Sequence, residues 1–284
     1  VRPGFINSFN PARDPPSGVP PSPGSLLVWM DANDITQADG ASVPTMPNKG
    51  SLGGTWSTTN VSGTVLAPLA ATISGRRILS LPGNWSGFNG ASVPPNYGYN
   101  VSSFNFPATT AATGITLVIL AQQDAAWNNS TGVPNLWLAQ VGSDPIGSGL
   151  IFGGAYGGSS PPFGSMNWGA TQPSQNGSSG SWSLTGLQYP GEFAAYGTQL
   201  STTLSNNQSA FILRKNAGDV IGNATLTATG TVGVTAGNVR IGGYSPSSDQ
   251  YNWKGYIREV LAWNTLVSTA DIRAWLDTKY GPTW

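Results

Sequence analysis

The sequence holds neither cysteine nor histidine among its 284 residues, and only 8% of them are charged. Without Cys there is no disulfide framework, no thiolate nucleophile and no thiolate metal ligand. Without His, the Ser-His-Asp and Cys-His nucleophilic sites and imidazole zinc sites are excluded as well. The 12 basic residues are balanced by 12 acidic ones, so no uniform field draws in nucleic acid or an anionic membrane, and neither partner is expected. Arg76 and Arg77, an adjacent basic pair, read as a solvated turn rather than a phosphate site. Long hydrophobic runs are missing too. "ITLVILA" at 115–121 is too short to span a bilayer, and the opening "VRPGFINSFNPARDPP" carries no apolar signal-peptide core. A soluble chain is expected, on a virion surface or otherwise outside a cell.

What is present is 38 Gly, 22 Pro and 11 Trp, a composition foreign to helical bundles and to charge-rich disordered segments. It reads as all-β. Seven prolines fall within residues 1–24, which favours an extended arm with no core of its own, held only by lying against its own domain or a neighbouring subunit. Arg2, Phe5, Phe9, Arg13, Pro15 and Pro16 are its candidate assembly contacts. Residues 25–284 then form one domain. Short strands are predicted at 26–34, 115–121, 136–141, 150–152, 210–214, 224–230 and 239–243, each bounded by Gly, Pro, Asn or Ser. Residues 153–186, Gly- and Ser-rich with scattered aromatics, read as long surface loops.

The ending "GYIREVLAWNTLVSTADIRAWLDTKYG", residues 255–281, is the most structured stretch. Alternation from 256 to 263 predicts a strand with Ile257, Glu259, Leu261 and Trp263 on the inward face. Ser268 or Thr269 then caps a helix whose first turn carries Asp271, whose apolar positions are Ile272, Trp275 and Leu276, and whose end is marked by Lys279, Gly281 and Pro282.

"RIGGYSPSSDQYNWKGYIREVLAWNTLVSTADIRAWLDTKYG" at 240–281 resembles the C-terminal signature of the concanavalin A-like, LamG-like jelly-roll superfamily. In that family an Ile-Gly-Gly strand, a Gly-x-Ile-x-Glu-Val strand and a short helix ending in Lys-Tyr-Gly follow in this order. "LLVWMDANDI" resembles its opening strand, "WSGFNGASV" at 85–93 a following strand and turn, and "FILRKNAGDVIGN" at 211–223 its hairpin, with Asn216-Ala217-Gly218 in place of an adjacent Asn-Gly pair. The resemblance covers about residues 26–281. It implies a jelly-roll β-sandwich with a short C-terminal helix, and a structural role for Glu259, whose inward carboxylate would be satisfied by backbone N–H groups or by Arg240.

Glycoside hydrolysis needs only two carboxyl groups about 5 to 9.5 Å apart, yet the two glutamates, Glu192 and Glu259, stand outside the Glu-x-Asp-x-x-Glu strand of enzymes with this fold. Asp31 and Asp34 read as turn or capping residues. Asp31, Asn33, Asp34 and Asp39 offer oxygens to calcium, without the spacing of a calcium loop; no other cofactor is expected. Rings are the better clue, because sugars stack on exposed aromatics while amides and hydroxyls read their hydroxyl groups. Trp85, Tyr97, Tyr99, Trp127, Tyr156, Trp168, Trp182 and Tyr189 lie in or near Gly-, Ser- and Asn-rich segments, as binding rings or as packing beneath loops. Three functions are weighed in order. The first is a non-catalytic virion component, a bacteriophage decoration, fibre or tail module attached through the arm to other subunits, with a host-glycan face. The second is a secreted or cell-surface lectin-like module. The third is a divergent glycosidase dependent on Glu192.

Overall fold

The computed structural model describes residues 18–58, 65–82, 96–110, 113–123, 136–142, 149–154, 163–168, 181–185, 191–203, 208–215, 218–222, 233–234, 236–245, 248–252, 255–281 and 284. Arg2, Phe5, Phe9, Arg13, Pro15, Pro16, Trp85, Trp127, Tyr156 and Tyr189 lie outside them, as does the 224–230 strand expected from the sequence.

The chain is an all-β jelly-roll sandwich and, among the described residues, carries one α-helix, α1, at Thr269–Tyr280. An eight-stranded sheet has the final strand, Gly255–Trp263, near its centre, antiparallel to the central strand Ile115–Gln123 on one side. On its other side the final strand pairs twice: residues 259–263 with the opening strand Leu26–Asp31, and residues 255–257 with the strand Arg76–Leu81. The second sheet has six strands, ordered Ser181–Thr185, Phe163–Trp168, Gly149–Gly154, Leu136–Gly142, Gly237–Ile241 and Asn105–Phe106.

Period-two alternation sends the central strand's residues to two different cores. Ile115, Leu117, Ile119 and Ala121 join Met30, Val260, Ala262 and the second sheet's Phe106, Val239 and Ile241 between the sheets. Val118 and Leu120 join Leu261, Trp263 and the helix residues Ile272, Trp275, Leu276 and Tyr280 on the opposite face. The eight-stranded sheet is therefore covered on both sides, which is why its strands read as near-continuous apolar runs.

The helix forms as its sequence dictates. The Ser268 hydroxyl accepts the Asp271 backbone N–H at 3.1 Å, and Gly281, at φ 60°, closes the other end with its N–H on the Asp277 carbonyl. Residues 18–25 lie against this layer: the Trp263 and Trp275 indoles donate to the carbonyls of Pro21 and Gly18, at 2.8 and 3.2 Å. This part of the Pro-rich segment docks on its own domain.

Two expectations need correction. Strands Phe163–Trp168 and Ser181–Thr185 run through the stretch read as loops, and Arg76 and Arg77 open a strand rather than a turn. Arg77 is held by Asp39, by the Gln37 carbonyl and, at 3.0 Å, by the Thr72 hydroxyl.

Candidate functional site

Two places gather polar groups. The first lies beneath α1, where the final strand departs from simple alternation. Its register against the central strand shifts between Leu120↔Glu259 and Ala121↔Ile257, so Arg258 is an extra residue, a β-bulge. The bulge splits the face predicted for this strand: Ile257 packs between the sheets, whereas Leu261 and Trp263 pack under the helix. Arg258 and Glu259 both reach the helix side. The Arg258 guanidinium sits 3.9 Å from the Phe193 ring centroid and 5.2 Å from that of Tyr280, and burial lowers its pKa.

Glu259, fully buried, accepts hydrogen bonds from the Lys279 ammonium, the Tyr280 hydroxyl and, at 3.0 Å, the Trp29 indole. Its expected partners were backbone N–H groups or Arg240, but Arg240 belongs to the other sheet. The structural role expected for Glu259 is therefore filled by side chains of the opening strand and helix. Lys279 also donates to Asp31 at 2.8 Å, so one buried ammonium bridges two buried carboxylates. Asp31 further accepts from Lys49 at 3.2 Å and from the Asn33 N–H at 3.0 Å, capping the short turn Ala32–Asp34 as anticipated.

The electrostatics follow from this geometry. Burial, with Asp31 adding to it, pushes the Glu259 carboxyl up to about 7 against the pull of Lys279. Asp31 is itself penalised by burial, yet the Lys279 ammonium leads the contacts that hold it below its ordinary value. Tyr280 is pushed up by burial and by Glu259.

The calcium candidates are engaged elsewhere. Asp31 and Asp34 accept from Lys49, Asp31 also from Lys279, and Asp39 from Arg77. Among the described residues no group of three or more His, Cys, Asp or Glu is placed to hold a metal. Glu192 is gripped by Arg214, through Nε at 3.3 Å and a terminal nitrogen at 2.8 Å.

The second place is the six-stranded sheet. Its register sets Trp168 in the row of Leu150, Val141 and Val239, and Trp182 in the row of Met166, Phe152, Ala139 and Ile241. Val239 and Ile241 belong to the inter-sheet core. These two tryptophans thus occupy strand positions in register with those rows, not loop tips. The alternate rows hold more polar positions: Arg240, which is buried, Gln140, Ile151, Asn167 and Ser181 pair across five strands, and Trp137, Gly153, Ser165 and Ser183 form the next row. Neither row contains a carboxylate. Gln140, Asn167 and Trp137 are positions the sequence reading missed; only cross-strand pairing aligns them.

Of the remaining ring candidates, Tyr99 is a core residue, 1% exposed, with its hydroxyl donated to the Val43 carbonyl at 2.9 Å and its pKa pushed up by burial. It is sealed away from ligand. Tyr97 is partly buried and packs on the same core.

No protein-family model matches the chain, and no curated protein matches it. Among solved structures, the botulinum neurotoxin serotype G binding domain superposes with TM-score 0.54 at 8% identity, covering 90% of this chain and 51% of that one. A Trypanosoma rangeli sialidase in complex with sialic acid gives 0.48 at 11%, covering 90% and 33%. The CBM40 of a Ruminococcus gnavus IT-sialidase bound to α2,6 sialyllactose gives 0.34 at 14%, covering 59% and 84%. At these identities the likeness concerns fold alone, and of the three the toxin domain carries it: the two share a β-sandwich. This chain spans about half of the toxin domain's length and a third of the sialidase's.

Proposed function

We propose that this chain is a non-catalytic glycan-binding module of the concanavalin A-like, LamG-like kind, taking its ligand on the six-stranded sheet face that alternates with the inter-sheet core. The observation that supports this reading most is the pair of rows just described. Amide, hydroxyl and glycine positions share these rows with Trp137, the mixture that reads sugar hydroxyls while stacking a sugar's apolar face, and Arg240 stands buried at the edge of the first row. The fold alone adds little, since jelly rolls host many functions.

Glycosidase chemistry is disfavoured by what holds the two glutamates. Glu259 is fully buried under α1, and Glu192 is committed to Arg214. A virion-assembly role for the arm finds no support in the comparisons.

The test is a glycan array followed by calorimetry on the best hit. Asn167→Ala, Gln140→Ala and Trp137→Ala are each expected to weaken binding about tenfold, the equivalent of ~1.4 kcal/mol, with thermal stability checked in parallel. An array without a specific hit, or a hit that all three variants bind unchanged, defeats the reading.

A further inference from the structure

The cluster beneath α1 contains more than a salt bridge requires. Lys279 Nζ lies 2.8 Å from Asp31 Oδ2 and against Glu259 Oε1, with side-chain exposures of 8%, 7% and 0%. Aromatic rings enclose the amine: Trp275, Tyr280 and Trp29 have centroids at 5.2, 5.3 and 5.4 Å from Nζ. We propose that Lys279 and Asp31 condense into an intramolecular amide, an isopeptide bond that ties the opening strand to the C-terminal helix, with Glu259 carrying the proton.

The reaction balances without any co-reactant. The Lys279 ammonium passes one proton to the Glu259 carboxylate and becomes a neutral amine, whose lone pair attacks Asp31 Cγ. Oδ1, already accepting the Asn33 N–H at 3.0 Å, is held as charge builds on it and remains as the amide oxygen. Oδ2 is the leaving atom. It takes the proton from Glu259 and a second from the attacking nitrogen, the C–Oδ2 bond breaks, and one water departs. An ammonium and a carboxylate are consumed, and a neutral amide and water are produced.

Three features of the site favour this course. Keeping an ammonium and a carboxylate out of water is costly, and the amide removes both charges at once. Fixed contact between amine and carboxyl supplies the proximity that drives slow intramolecular condensations. Glu259 exchanges its proton near neutrality, as a carrier must, and the Trp29 indole and Tyr280 hydroxyl fix its carboxyl beside Nζ. Lys49, by contrast, reaches Asp31 from a side chain that is 33% exposed, and the Asp31 and Asp34 carboxylates, outweighing its partial burial, hold its ammonium charged. It stands as the cation that polarises Oδ2, not as the nucleophile.

The experiment is intact-mass spectrometry of the purified full chain, followed by digestion and fragment sequencing. The expected result is a mass lower than that of the sequence by one water, with a branched peptide joining Asp31 to Lys279. Lys279→Arg, which keeps the cation, and Asp31→Ala should each restore the full mass, and Glu259→Gln should leave most of the chain unlinked. An unmodified wild-type mass overturns the proposal, and that measurement needs no variant to fold. A water loss that maps elsewhere overturns it equally, whether to a succinimide at Asp39–Gly40, to Lys49 with Asp31 or to Lys279 with Glu259.

Discussion

The two faces of the eight-stranded sheet are built on different principles. Toward the other sheet the final strand offers Ile257, Val260 and Ala262 to an apolar core. Toward the helix it offers Leu261 and Trp263, but also Arg258 and Glu259, buried among rings and met by Lys279. The first face is specified by volume and alternation, and a neighbouring methyl group can be exchanged at modest cost. The second is specified by charge, where one missing partner strands an ion in a medium that cannot solvate it. A single bulge at Arg258 separates them.

The largest expected effect comes from unbalancing the charged face. Lys279→Met leaves the Asp31 and Glu259 carboxyls buried without their Lys279 partner, whether it holds Asp31 as an ion pair or as an amide, and should destabilise the fold by about 3–5 kcal/mol in urea denaturation; a loss below about 1 kcal/mol would erase the contrast between the faces. Next comes pH. The Glu259 carboxyl is raised from 4.5 to about 7, so the folded chain keeps a proton that the unfolded chain releases. Its contribution is full below pH 4.5 and is lost as pH rises toward about 7, amounting to roughly 3 kcal/mol. Glu259→Gln should flatten that decline in denaturation series taken across the window. Where the Asp31 carboxyl is not joined to Lys279 it is shifted downward, and acts in the opposite sense and only at lower pH.

A purely steric change on the same face sharpens the comparison. Gly197 lies beneath the Phe211 ring, and a Cβ there would stand 1.9 Å from Phe211 Cζ. Gly197→Ala should therefore cost about 1–3 kcal/mol with no dependence on pH. The smallest effect belongs to the helix cap: Ser268→Ala removes the acceptor for the Asp271 N–H and should lower stability by about 1 kcal/mol.

Legibility in the sequence followed the range of the interactions. The final strand, the Ser268 cap, Gly281 and the buried Ile272, Trp275 and Leu276 were readable because each depends on neighbours a few residues away. Strands 163–168 and 181–185 were not, because Gly, Ser and Asn positions there carry no β-signal of their own and pair only because partners flank them. The Glu259 face was half legible: alternation found it, but the bulge that moves Ile257 to the other core has no local signature. Lys279 read as a charge suited to a helix end, while its buried duty depends on Asp31, 248 residues away. The Gln140–Asn167 row was hidden for the same reason, since register belongs to pairs of strands.

The clasp at Lys279 also fixes where force travels. Residues 18–21 lie along the helix layer, the chain turns into the opening strand, and Asp31 at its far end meets Lys279 two residues before Gly281. Once Asp31 and Lys279 are joined covalently, tension applied between Gly18 and Gly281 would run along the first strand and cross to the helix at that bond, leaving the rest of the sandwich outside the loaded path.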